Sequence, residues 1–387
     1  MKKHIVITCI CILLSTVSMA QLLTAKFEGP VSEFSKVYLL RYDMVNHQFL
    51  TSDSALIKDG GFQFHLKEDK EPSFAYLRLK DQKGNWIWTS TVELFVAPDS
   101  ILLLCEDSLK NARIFNSPIN YDHLRLNEMT APGRKYADDI HLRYIAETKK
   151  VPPDILNTKE YQQFGIKRFQ AARQGLYDAY ETFIDKNPSS WISLYALRRR
   201  MQEMGADFVK MNNLFLQLDQ NIRESTGGTS IAKRLSNMRN VQVGSTAPVF
   251  QLPNIKGQLV DLKNYRGKYV LLEFWSSGCG PCRLEAPHLK SAFAKYRDNG
   301  FDILSISLDD ANQYKGKENW LKAVEKDETG IWQQVSDLKG SKSPVVAAYN
   351  VGAIPQNFLL DPDGLIIAKN LRGGDLHDYL EKLFGKE

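Results

Sequence analysis

Three observations predict a multidomain chain: a β-rich N-terminal domain (an antiparallel sandwich or barrel), an α-helical middle segment and a C-terminal α/β domain. Short alternating apolar runs between turn signals come first, a 3.6-residue apolar period follows, and strands then alternate with helices to the end. A length of 387 residues allows two or three domains, each with its own core. With 43% hydrophobic and 25% charged residues, the composition excludes a disordered chain, a collagen-like repeat and a polytopic membrane protein. A net charge of +5 is small for this length and makes no case for nucleic acid as a partner.

Residues 1–20 read as a signal peptide. Lys2 and Lys3 form a basic start, residues 4–17 are almost wholly apolar or small, and Ser18-Met19-Ala20 is a small-x-small cleavage site. A membrane anchor is the alternative, but the run falls short of the roughly 20 apolar residues a span needs. Cys9 sits inside the apolar run behind Thr8, and no Cys directly follows the cleavage site, which argues against a lipid anchor. Cleavage leaves Cys105, Cys279 and Cys282, too few for a disulfide-rich scaffold. It also places the mature chain in the periplasm or another extracytoplasmic space, where disulfides persist. No second long apolar run follows, so no transmembrane span is expected in the mature chain.

Residues 21–116 form the β-rich domain. Lys36-Val37-Tyr38-Leu39-Leu40-Arg41 is β-prone, Phe62 to Leu66 and Tyr76 to Lys80 alternate, and Val92 to Val96 and Ile101 to Leu104 are short apolar runs. Asp59-Gly60-Gly61, Lys83-Gly84-Asn85 and Pro98-Asp99 separate them as turns. Cys105 reads as a buried thiol, or else, as the odd cysteine, as one half of an intermolecular disulfide.

Residues 117–240 form the helical connector. Phe169, Ala172, Leu176, Tyr180, Phe183 and Ile184 keep helical spacing, and Asn187-Pro188-Ser189-Ser190 ends that helix and caps the next. Leu214, Leu216 and Leu218 lie in a further helical stretch. Arg198-Arg199-Arg200 reads as a solvated helix face rather than an anion site.

Residues 241–387 form the α/β domain. Tyr269 to Trp275 is nearly continuous apolar with one acid, Glu273, the pattern of a central strand buried on both faces. A helix over 281–297 and a strand over 301–308 complete a βαβ unit. A helix over 311–326 follows. Strands at 357–360 and 365–368 flank Asp361-Pro362-Asp363-Gly364 as an antiparallel hairpin, and a last helix covers 375–384.

The chemistry lies at Cys279-Gly280-Pro281-Cys282. Such a pair is a zinc half-site, a structural disulfide or a redox-active dithiol. Zinc needs two more ligands, and only His288 is near, while His123 and His141 read as ordinary residues. The strand-to-helix junction favours the dithiol, because a thiol at a helix N-terminus is stabilised as thiolate. Pro281 suits the first helical turn. Cys279 is then the nucleophile and Cys282 the more buried resolving thiol. Glu273, if buried, has a raised pKa and relays the proton of Cys282; the alternative is an edge-facing or salt-bridged Glu.

The run Glu273-Phe274-Trp275-Ser276-Ser277-Gly278-Cys279-Gly280-Pro281-Cys282 resembles the active-site segment of thioredoxins, and more nearly that of the TlpA/ResA-like thiol-disulfide oxidoreductases, which are related to the AhpC/TSA proteins. Glu285 and Pro287, Gly267-Lys268 and Ala247-Pro248-Val249-Phe250 extend the resemblance, and Glu273 falls where thioredoxins carry a buried Asp. Ala353 to Gly364 resembles the cis-proline segment. The resemblance implies a thioredoxin-like fold, a cis Ile354–Pro355 bond, and a client-binding surface at Ile354, Pro355, Trp275 and Gly278. Gly278 departs from the family's usual Trp, which opens the surface beside Cys279. The β-rich region resembles an uncharacterised domain of secreted bacterial proteins. The activity implied is reduction of protein disulfides by the CxxC dithiol, for tasks such as cytochrome maturation. No cofactor is implied beyond the redox-active disulfide, and the partners are thiol-bearing client proteins and a membrane thiol-transfer electron donor.

Two other functions compete. A peroxiredoxin-like peroxidase would use Ser276 as its hydroxyl residue but has Leu272 where Pro is expected. A non-catalytic periplasmic binding protein would use the CxxC as a structural staple. No P-loop, dinucleotide fingerprint, nucleophile elbow or H-E-x-x-H motif occurs.

Overall fold

The computed structural model describes residues 22–29, 34–43, 48–66, 71–81, 83–97, 99–156, 158–203 and 206–385. The signal peptide expected over 1–20 lies outside them. The chain divides between Arg125 and Leu126 into two compact units.

The first unit holds β1 (Leu22–Phe27), β2 (Phe34–Asp43), β3 (Gln48–Leu56), β4 (Gly61–His65), β5 (Ser73–Asp81), β6 (Trp86–Val96), β7 (Ile101–Cys105) and β8 (Arg113–Phe115). They form two four-stranded sheets, ordered β4-β1-β7-β8 and β3-β2-β5-β6. Alternation sends Leu23, Ala25 and Phe27 from one sheet and Val37, Leu39, Leu77 and Leu79 from the other into one core, so the sheets stack as a sandwich. Two details depart from the expectation. Neither sheet closes into a barrel, and β1 runs parallel to β7, with Leu23 opposite Ile101. The alternation that buries one face is the same for either strand direction, so it does not report direction. Cys105 ends β7 as a buried free thiol, its pKa pushed up to about 11 by burial.

Helix α1 (Pro118–Thr148) spans the division, followed by α2 (Pro153–Leu156), α3 (Lys159–Lys186), α4 (Trp191–Gln202), α5 (Phe208–Gln217), α6 (Gln220–Arg223) and α7 (Thr226–Asn240). Ala172, Leu176, Tyr180, Phe183 and Ile184 are buried along α3, as their spacing requires. Ser190 caps α4 by accepting from the Ile192 amide. The arginine run is not wholly a solvated face. Arg200 is only 5% exposed, donates from Nε to Glu181 Oε1 at 2.9 Å, and lies 4.1 Å from the Tyr177 ring centre. Three like charges in a row cannot share one exposed face at 100° per residue, and here the third turns inward to a buried carboxylate.

The α/β portion contains β9 (Gln251–Pro253), β10 (Leu259–Asp261), β11 (Tyr269–Trp275), α8 (Gly280–Tyr296), β12 (Phe301–Ser307), α9 (Gly316–Lys326), β13 (Gln333–Val335), α10 (Pro344–Ala348), β14 (Gln356–Leu360), β15 (Ile366–Lys369) and α11 (Gly374–Phe384). The main sheet is ordered β13-β12-β11-β14-β15. β11 is central, parallel to β12 and antiparallel to β14. Its alternate residues feed two cores: Val270, Leu272 and Phe274 pack with Val345 and Tyr349 from the α10 side, and Leu271 packs with Leu289 and Ala292 of α8 and Leu376 and Leu380 of α11. The helix expected over 311–326 begins at Gly316. A Cβ there would meet the Asp310 carbonyl oxygen at 2.0 Å, so the preceding residues turn the chain back before the helix starts. This portion shares its compact unit with the helices: Arg234 Nε of α7 donates to Asn350 Oδ1 at 3.1 Å, and Asn237 Nδ2 donates to the Ala347 carbonyl at 2.9 Å.

Candidate active site

The two-residue period of β11 puts Leu271, Glu273 and Trp275 on the face covered by α8. After Trp275 the chain makes a short turn. Ser277 donates its backbone N–H to Asp309 Oδ2 at 3.0 Å and its hydroxyl to Asp309 Oδ1, while Asp309 also accepts from Ser307 Oγ at 2.7 Å. The Cys279 N–H closes the turn onto the Ser276 carbonyl at 3.1 Å. Cys279 is then the N-cap of α8, with Pro281 in the first turn.

Cys279 and Cys282 are joined by a disulfide, with S–S 2.04 Å and Cα–Cα 5.3 Å. The Cys279 sulfur accepts from the Cys282 backbone N–H at 3.2 Å, the bond a capping group makes to unpaired amides at a helix start. Cys282 is 2% exposed, whereas Cys279 is only half-buried. Behind Cys282 lies Glu273, 7% exposed, which lines a cavity of about 10 Å³ together with Cys282, Trp275, Thr329 and Gln334. That volume is about one water molecule's worth. Glu273 lies on the central strand and, among the described residues, has no ion pair. Its Oε2 accepts from Ser305 Oγ at 2.6 Å, and Ser305 Oγ in turn accepts from Trp332 Nε1 at 2.9 Å. Burial raises the Glu273 carboxyl to about 7; the Ser305 bond opposes that rise and the nearby Glu285 carboxylate adds to it.

Ile354 packs on the same small cluster as Trp275, Cys279 and Cys282. The Ile354–Pro355 peptide is cis and Pro355 is buried. Gly278 is exposed, and a Cβ built on it meets nothing within 4 Å, so the surface beside Cys279 is open there. All seven residues singled out in the sequence therefore gather around one dithiol. Several partners were not singled out: Ser305, Trp332, Asp309, and the pair Arg283–Asp327, whose two bonds of 2.7 and 2.6 Å fix the first turns of α8. Ser305 and Ser307 carried a signal, as hydroxyls at wholly buried positions of a strand.

The arrangement offers an accessible sulfur that accepts from a helix amide, a buried second sulfur, and a buried carboxyl able to change protonation near neutral pH. That is the inventory for thiol–disulfide exchange. Comparison with known proteins agrees. Residues 243–369 match the AhpC/TSA family, and residues 23–122 match a domain of unknown function, DUF4369. The thiol-disulfide oxidoreductase ResA of Geobacillus kaustophilus is 33% identical over 146 residues, 37% of this chain and 79% of that protein. ResA of Bacillus cereus is 29% identical over 151 residues, 38% of this chain and 82% of that protein. The thioredoxin domain of a thiol-disulfide oxidoreductase from Bacteroides vulgatus is 38% identical, over 37% of this chain and 99% of that domain, with a TM-score of 0.34. With its dithiol helix, buried carboxyl and cis-proline strand in place, the chain belongs to the ResA-like thiol-disulfide oxidoreductases, as a thioredoxin-like enzyme.

Proposed function

We propose that this enzyme works outside the cytoplasm as a reductase of client protein disulfides. The observation that carries the reading is the asymmetry of the two sulfurs: Cys279 half-exposed and accepting from a helix amide, Cys282 buried beside Glu273. In the reduced enzyme the Cys279 thiolate attacks one sulfur of a client disulfide. The client S–S bond breaks, a Cys279–client disulfide forms, and the client's other sulfur leaves as thiolate. Glu273, ionised, then takes the proton of Cys282. The Cys282 thiolate attacks Cys279, the client leaves fully reduced, and the Cys279–Cys282 disulfide forms. Two electrons have passed from enzyme to client. Ile354 and Pro355 form the bend that leads into β14, Ile354 packs beside the sulfurs, and a client segment adds there as a strand. Gly278 leaves room for a client side chain there.

An oxidising compartment cannot restore the dithiol, so the cycle needs a membrane thiol-transfer donor that delivers two electrons from the cytoplasm. The basic, apolar and small-residue segments of 1–20 support export to such a compartment, and among the described residues no helix is long and apolar enough to cross a membrane. Maturation of cytochromes, which requires reduced client thiols, is one task that fits.

The test is the equilibrium reduction potential of Cys279–Cys282 in dithiol buffers, read by thiol trapping. The expected value lies near about −270 mV, as for a reductant. A value near about −120 mV would make the enzyme an oxidant, and a pair that stays oxidised throughout would remove the exchange reading altogether.

A further inference from the structure

Residues Asn370 to Gly373 join β15 to α11, and they are held with unusual thoroughness for a loop. The Asn370 N–H donates to the Asn357 carbonyl at 2.9 Å. The Asn357 side chain grips Leu371 twice, donating to its carbonyl at 2.5 Å and accepting from its N–H at 2.9 Å. The Gly373 N–H donates to Glu285 Oε2 at 2.9 Å. Between these anchors, Arg372 turns back and donates from Nη2 to the carbonyl of Pro355. A continuous set of contacts therefore runs from Glu285, one turn after Cys282 in α8, through Gly373 and Arg372, to the residue after Ile354.

Arg372 is a costly choice for that place. Burial lowers its pKa, with the Glu285 carboxylate opposing the drop, and its Nε is buried with no hydrogen-bond partner among the described residues. An unpaired buried donor destabilises a fold, and an apolar side chain of similar length would fill the space without that penalty. What the guanidinium supplies and an apolar chain cannot is a charge-assisted bond to the Pro355 carbonyl. The client-binding edge at Ile354 is a loop residue with only partial burial, so its backbone needs bracing from behind to offer hydrogen bonds in a fixed register.

We propose that Arg372 is a positioning residue that braces the Ile354–Pro355 client edge against the dithiol helix, and so sets affinity for extended polypeptide clients without taking part in exchange. This rests on the exchange reading above. The experiment compares full-length wild type, R372M and R372K on two substrates: insulin as a polypeptide disulfide, turned over with dithiothreitol as the electron source, and 5,5′-dithiobis(2-nitrobenzoate) as a small disulfide with no backbone to dock, mixed in a single turnover with the pre-reduced enzyme freed of dithiothreitol. For R372M the KM for insulin rises about tenfold with kcat retained, as expected for one lost charge-assisted contact to the edge. The rate with the small disulfide and the reduction potential stay at the wild-type values. R372K, which keeps a cationic donor, recovers part of the loss. An unchanged insulin KM overturns the proposal. So does an equal loss on both substrates, which would mark general damage to the dithiol. If R372M does not fold, R372K against wild type carries the same comparison at smaller amplitude. A wild-type enzyme inactive on both substrates would instead overturn the exchange reading itself.

Discussion

Replacing Glu273 by Gln separates what the buried carboxyl costs from what it does. In the oxidised protein, burial raises this group from the ordinary 4.5 to about 7. Between those values the folded chain keeps a proton that the unfolded chain has released, so the free energy of unfolding falls as pH rises through the interval. The displacement is equivalent to about 3 kcal/mol. In E273Q there is no proton to lose, and the amide oxygen can still accept from Ser305, so the cost of burying a charge disappears. Urea unfolding of the two oxidised proteins should therefore diverge with pH: similar near pH 4, with the variant more stable by about 3 kcal/mol at pH 8. Exchange should move the other way. In wild type the step that frees the client accelerates as Glu273 ionises around pH 7. Without that base it slows by roughly 10² to 10⁴, and its inflection near pH 7 vanishes. Stopped-flow release of reduced client from the mixed disulfide reads that step directly. A variant no more stable than wild type at pH 8, or one that keeps the wild-type rate and pH profile, refutes the reasoning.

Three further outcomes are expected. C282S should accumulate a covalent Cys279–client adduct detectable by mass spectrometry, whereas C279S should form none, because only the half-exposed sulfur is placed to attack first. G278W meets no neighbouring atom at its Cβ, so its unfolding free energy should stay within about 0.5 kcal/mol of wild type, while the ranking of kcat/KM among protein clients changes. R200A leaves the buried Glu181 paired with Lys210, at 2.5 Å, and should lose about 3 kcal/mol in chemical denaturation; full stability in the variant would show that Lys210 alone neutralises the site.

Much of this was legible in the residues. The apolar run of β11, the CxxC at its end and the Asp361-Pro362-Asp363-Gly364 hairpin are local patterns, and periodicity reports local patterns well. For Glu273 it left two readings open, a buried acid or an edge-facing or salt-bridged one, and the residue lies 7% exposed on the central strand. What it could not report is a partner far along the chain. The parallel pairing of β1 with β7, the Trp332–Ser305–Glu273 relay and the Arg372–Pro355 brace all join residues whose spacing carries no signal. Arg200 failed for a related reason. A charge in a basic run looks solvated until the carboxylate that draws it inward, here Glu181, is located on another helix.

The position of β1 has a consequence for how the N-terminal sandwich is made. Among the described residues it is the first strand in sequence but an interior strand in space, lying between β4 and β7. Leu23 cannot find Ile101 until β2 to β6 have been synthesised, so β1 waits through most of that unit for this neighbour. Until then β1 offers one complete row of unpaired backbone groups, the template on which strands of other molecules add. Productive assembly of this unit is thus a race between synthesis of β7 and capture of β1 by a stranger. A chain cut between them should be prone to aggregate rather than merely less stable.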